Sequence, residues 1–218
     1  TNDGRYYGGP TKMMTPRQVR TLIDRLTRMA LSARAVPDES RFWYENAGTV
    51  IKSLSQGDLQ IMEDTIRIVA LLSKDNQLGA NISGSIDIAY DVAKNGKPTI
   101  GRGRYPNELL KELGPALAAD QFDSRLDGVS NKVMSFYRNM RDTAYGTKDF
   151  EGESALDVWM YRAFGYTAIK EEFVDAKYPF GRMVMQRVAA KLSDQLGTPI
   201  LPRQAQAMIW TAQRNIDV

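Results

Sequence analysis

No stretch of this 218-residue chain alternates apolar and polar residues with the period of two that a half-buried strand requires. Apolar residues recur instead at spacings of three and four. The clearest run is Leu59, Met62, Ile66, Val69 and then Leu72 or Ser73, the stripe of a helix with one face in a core. An all-α fold follows, its helices punctuated by glycine and proline. Thr15-Pro16-Arg17-Gln18 supplies an N-cap, a proline at the first helical position and a glutamine at the third, so a first helix runs from there to about Ala35. Further helices are expected at roughly 39–55, 58–74, 77–95, 106–119, 130–142, 153–164, 179–196 and 202–214. Three loops interrupt them: KNGKPTIGRGRYPN (94–107), GTKDFEGE (146–153) and FVDAKYPFG (173–181).

The chain has neither cysteine nor histidine. Disulfides, zinc sites built on those residues, cysteine nucleophiles and every serine–histidine arrangement are therefore excluded. Proton transfer near neutral pH falls to carboxylates, a desolvated lysine, tyrosine or water. The net charge of +3 and pI of about 9.0 lean basic, and the excess is concentrated early. Residues 1–34 hold Arg5, Lys12, Arg17, Arg20, Arg25, Arg28 and Arg34 against Asp3 and Asp24, a pattern that an ordinary solvated face also explains. No run approaches the roughly 18 apolar residues of a membrane span, and the first residues lack the apolar core of a signal peptide, so a cytoplasmic protein is expected. Asn81-Ile82-Ser83 matches a glycosylation acceptor by chance on that reading.

One turn stands out for chemistry. In Leu126-Asp127-Gly128-Val129-Ser130-Asn131-Lys132-Val133, a helix ends near Leu126, Gly128 permits a tight turn, and a new helix starts near Ser130. Outward-pointing amides at such a start can hold a phosphate oxygen. The 94–107 loop has no Walker pattern and no preceding strand for a dinucleotide fingerprint, though Arg102 and Arg104 could meet a phosphate backbone.

This turn resembles the hairpin L-P-G-V-G-x-K-T-A of the helix-hairpin-helix DNA glycosylases related to endonuclease III. Leu156-Asp157-Val158-Trp159-Met160-Tyr161-Arg162 is similar to that family's V-D-T-H-V-x-R, and Val69 to Gln77 with Asn81 to its L-L-S-x-Q segment and later asparagine. The three segments keep the family's order over about residues 66–165. Ser130 stands where the family has a second glycine, Asp127 where it has proline and Trp159 where it has histidine; no cluster-binding cysteines follow. The charge distribution and the helix start at Thr15 set off a basic leader over 1–14, and the resemblance implies one all-α domain over 15–218, its lobes at about 60–165 and the remainder, around a DNA-facing cleft. It implies Lys132 as amine nucleophile and Asp157 as catalytic carboxylate. Gly128, Ser130, Asn131, Arg102, Arg104, Arg138 and Arg162 would contact DNA, and Asn76, Gln77, Asn81 and Trp159 would form the pocket for a flipped base. The implied partner is double-stranded DNA, with no metal and no cofactor.

Lys132 to Asn139, Leu156 to Gly165 and Pro202 to Trp210 are also similar to bacteriophage proteins, including pyrophosphorylases that act on activated 5-hydroxymethyl pyrimidines in DNA and would need an amine co-substrate. A non-catalytic DNA-binding module is a third reading. Simpler roles stand beside these. Lys132 could be an exposed cation or plain phosphate contact, and Ser154-Ala155-Leu156-Asp157 reads as a capping box in which Asp157 only satisfies helix amides. Phe136, Tyr137, Trp159, Tyr161 and Phe164 read mainly as core. Arg203, Gln204 and Gln206, and the pairs Glu151/Glu153 and Glu171/Glu172, read as surface groups.

Overall fold

The computed structural model describes residues 14–32, 38–73, 78–100, 131–166 and 171–216. All regular structure among these residues is helical: α1 (Pro16–Ala30), α2 (Asp38–Arg41), α3 (Trp43–Leu54), α4 (Leu59–Leu71), α5 (Leu78–Asn95), α6 (Asn131–Tyr145), α7 (Val158–Ala163), α8 (Glu171–Leu196) and α9 (Pro202–Ile216). The expected helix at 106–119 and the Gly128 turn lie outside the described residues, as do Arg102, Arg104, Ser130, Asn76 and Gln77. No helix among the described residues is long and apolar enough to cross a membrane.

The chain divides into two compact units. One takes Thr1–Tyr44 and Phe150–Val218, from both ends of the sequence; the other is the continuous stretch Glu45–Asp149.

In the first unit, α8 and α9 pack on each other, on α1 and on α7. α1 starts as its sequence dictates: Gln18 N donates to Thr15 Oγ1 at 3.3 Å, and Thr15 N donates to Gln18 Oε1 at 2.8 Å. Val19, Leu22, Ile23 and Leu26 of α1 enter a core with Met160 and Tyr161 of α7, Met185 and Leu192 of α8, and Met208 and Ile209 of α9. α7 ends in a Schellman turn, with Tyr166 N donating to Tyr161 O at 3.0 Å and Gly165 N to Arg162 O at 2.8 Å. Gly165 takes φ +91° there, and the Arg25 guanidinium fills the space beside it while donating to Ala163 O at 2.7 Å. Burial lowers the Arg25 pKa.

Two boundaries differ from the expectation. The helix placed at 153–164 begins only at Val158, because 153–156 is a buried run held along α8. Tyr178 Oη donates to Ser154 O at 2.8 Å and accepts from Leu156 N at 3.1 Å. Gly181 of α8 makes room for it, since a Cβ there would sit 2.4 Å from Leu156 Cδ1. The segment 173–181, expected as a loop, lies inside α8, which carries Pro179 in its interior. Proline removes one amide donor from a helix, a loss this 26-residue element tolerates.

In the second unit α4 packs against both α5 and α6. Asp58 caps α4, accepting from Gln60 N at 2.9 Å and Ile61 N at 3.0 Å. Met62, Ile66 and Val69 are buried as the stripe requires, but Leu59 in the first turn is 64% exposed. A helix between two neighbours buries a second stripe as well: Ile61 and Ile68 cluster with Ile86, Ile88 and Ala89 of α5. Gly48 of α3 touches α6 so closely that a Cβ would lie 2.7 Å from Ala144 N.

Asp91 closes the end of α5. It accepts from Thr99 N, from Thr99 Oγ1 at 2.7 Å and from Ile100 N at 3.1 Å, while Asn95 Nδ2 donates to it at 2.7 Å. The Thr99 bonds above all, with those from Ile100 and Asn95, hold its carboxyl down to about 2 from the usual 3.8. A depressed carboxylate contributes stability that is fully present above its unfolded value and is lost as pH falls through its folded one. The Thr99 and Ile100 amide shifts are therefore expected to stay constant down to about pH 4 and titrate with a midpoint near 2, read by NMR; a midpoint near 3.8 would mean that the bonds do not hold the carboxylate.

Candidate functional site

The buried run 153–156 delivers Asp157 to the start of α7. Its anchor includes Glu153, only 5% exposed and 3.3 Å from Arg182 Nη2, so Glu153 is a buried ion-pair partner and not the surface charge expected from sequence. Asp157 is itself the N-cap: Oδ1 accepts from Met160 N at 3.0 Å, and Oδ2 accepts from Trp210 Nε1 of α9 at 3.0 Å. The capping role expected of this segment thus belongs to Asp157 alone. Ser154, the expected start of the box, is fully buried and its Oγ has no hydrogen-bond partner. With one donor on each oxygen, a carboxylate keeps lone pairs free for a further donor or cation.

Around Asp157 the first unit gathers every tryptophan of the chain. Trp159 of α7, Trp210 of α9 and Trp43 at the start of α3 are all half-buried. The Trp43 and Trp210 rings lie 6.3 Å apart at 50°. Exposed guanidinium groups cover the rings: Arg162 stands 4.5 Å over Trp159, and Arg214 stands 4.7 Å from Trp210 and 6.0 Å from Trp159. Each such pair contributes about 0.5–1 kcal/mol at an exposed site. Tyr44, buried next to Trp43, donates to Gln206 Oε1 at 2.9 Å, and Gln204 Oε1 accepts from Leu201 N at 3.0 Å. Arg203, Gln204 and Gln206 are each only 6% exposed, so the surface role expected for them is corrected: they are buried.

The remaining candidates belong to the second unit. Lys132, in the first turn of α6, is half-buried and its Nζ donates to Ser73 O at 3.5 Å, placing the cation at the C-terminal end of α4, where carbonyls favour it. Asn131 is exposed and Arg138 half-buried on the same helix. Asn81 is buried; its Nδ2 donates to Val69 O at 2.9 Å and its Oδ1 accepts from Ser85 Oγ at 3.4 Å, which ties α5 to α4. Phe136, Tyr137, Tyr161 and Phe164 are core residues, as expected. No side-chain geometry is described for Glu171 and Glu172.

Comparison with family models, with curated proteins and with solved structures found no match. The arrangement around Asp157 is therefore read from its own chemistry. It combines a fixed carboxylate, indole rings of the kind on which bases stack, and cations beside those rings. The sequence motifs named Asp157, Trp159 and Arg162 but missed Trp43, Trp210 and Arg214. A local signal existed for Arg214, which follows Trp210 by four residues on one helix face.

Proposed function

We propose that the protein is a DNA-binding enzyme of the base-excision type, which takes one nucleotide out of the stack and cleaves its N-glycosidic bond. The observation that carries this reading is the Asp157 carboxylate, fixed by Met160 N and Trp210 Nε1 and bordered by the guanidinium-covered Trp159 and Trp210. Stacking on indole offsets the unstacking of a flipped base, and arginine holds the flanking phosphates. As the C1′–N bond breaks, the base leaves with the bonding pair and the sugar becomes cationic; a preorganised carboxylate stabilises that charge. The family resemblance, independently of this carboxylate, gives Lys132 as an amine that bonds to C1′, with sugar ring opening and loss of a proton leaving an imine.

The test uses duplexes carrying single damaged or modified bases, scored for abasic product. Native protein is expected to excise at least one of them, and Asp157→Asn to lower the single-turnover rate by about 10²-fold or more with duplex affinity nearly unchanged. Borohydride is expected to trap native protein, but not Lys132→Ala, on an abasic duplex. Duplex binding with no product from any base, and no trapped adduct, would leave a DNA-binding protein without this chemistry. Product only from an activated pyrimidine with an amine supplied would point to base modification.

A further inference from the structure

A second charged surface of the first unit plays no part in the chemistry above. At 100° per residue, Arg17, Arg20, Asp24 and Arg28 fall within an arc of about 80° on α1. That arc lies opposite the stripe of Val19, Leu22, Ile23 and Leu26 that enters the core. Arg17, Arg20 and Arg28 are exposed. Lys191 of α8 reaches across to donate to Asp24 Oδ1, so the cations of two helices meet around one carboxylate. The bond from Lys191, and then the charges of Lys191, Arg28 and Arg20, lower the Asp24 pKa. Asp194, one turn beyond Lys191, bounds the patch on α8. An exposed face with four cations to one central acid attracts a polyanion, whereas an evenly mixed face would not.

We infer that this α1–α8 face is a phosphate-backbone contact for duplex DNA, in which Arg17, Arg20 and Arg28 each meet a phosphate and Asp24 holds Lys191 in reserve. The inference rests on the DNA-binding reading above and adds to it a surface that grips without reading sequence. Arg20 and Arg28 are separated by eight residues, a rise of about 12 Å along the helix. Over that length one strand of duplex presents three to four phosphates at about 3.4 Å of axis each. Asp24 gives the inference an unusual sign: removing it should improve binding, because Lys191 is released and a repulsive carboxylate is lost.

The experiment is fluorescence anisotropy of a labelled duplex of mixed sequence with full-length protein, between about 50 and 200 mM salt. The slope of log affinity against log salt counts the phosphates neutralised. Arg20→Ala/Arg28→Ala is expected to reduce that slope by about two, and Asp24→Asn to raise it by about one with tighter binding at low salt. Circular dichroism melts identify any variant that fails to fold, and only folded variants are compared. Unchanged slopes in both variants, with native protein binding DNA, would overturn this inference and leave the proposed function standing. No duplex binding by native protein at low salt would overturn both. Binding of phosphatidylserine vesicles but not DNA, lost in the double arginine variant, would reassign the face to a membrane surface.

Discussion

Tyr161→Ala is expected to destabilise the first unit by about 3–5 kcal/mol. Tyr161 is fully buried in α7, its ring 5.2 Å from Phe164 and 6.0 Å from Tyr166, and its hydroxyl donates to Val174 O at 3.3 Å. Gly181 of α8 is also shaped around it, since a Cβ there would lie 2.9 Å from Tyr161 Oη. Truncation empties the place where α7 and α8 meet, and the Schellman turn that follows is already closed by two backbone hydrogen bonds. For a chain of this size the loss corresponds to a fall in Tm of roughly 6–20 °C. Tyr161→Phe keeps the ring and gives up only the hydroxyl bond, so about 0.5–1.5 kcal/mol is expected for it. Denaturant titration of both variants separates the terms. A loss below about 1 kcal/mol for the alanine variant would mean that the neighbours close the gap and that the ring does not organise this core.

Gly48→Ala tests the second unit by adding one methyl group. The new Cβ would stand 2.6 Å from Thr143 Oγ1 and 2.7 Å from both Ala144 N and the Thr143 carbonyl carbon. A rotamer change can move the hydroxyl, but the backbone atoms cannot step aside, so α3 and α6 must separate. Alanine gains about 1 kcal/mol over glycine in helix propensity. Overpacking against backbone costs more than that, and a net destabilisation of about 1–3 kcal/mol is expected. Hydrogen exchange should show the loss in α3 and α6, with α7 to α9 less affected. A neutral or stabilising result would mean that the helix pair is free to move apart.

These two glycines show what sequence alone conveys about the fold. Thr15-Pro16-Arg17-Gln18 announced the start of α1 because every bond of that cap lies within four residues. Helical periodicity likewise revealed Met62, Ile66 and Val69, since a core-facing stripe is a property of one element. Ser154-Ala155-Leu156-Asp157 misled because the pattern of a capping box says nothing of α8, which holds residues 154–156 out of the helix through Tyr178 and Gly181. Pro179 and Gly181 looked like breaks for the same reason: one is an amide lost in a long helix, the other a cavity shaped for Leu156. The candidate site followed suit. Asp157 and Trp159 stand in one short motif, whereas Trp43, Trp210 and Arg214 are brought together only by packing within the first unit.

The division of the chain bears on its synthesis. The Glu45–Asp149 unit is continuous, so every residue it needs has been made before α7, α8 and α9 exist. The other unit starts with α1 and cannot complete its core until the last helices emerge, because Leu26 packs with Met185 and Ile209. On the ribosome the inner unit can therefore fold first while α1, with its apolar stripe uncovered, waits for partners. The opposite face of α1 carries Arg17, Arg20 and Arg28, exposed in the finished fold, so that side of the waiting helix stays in water whether or not its partners have been made.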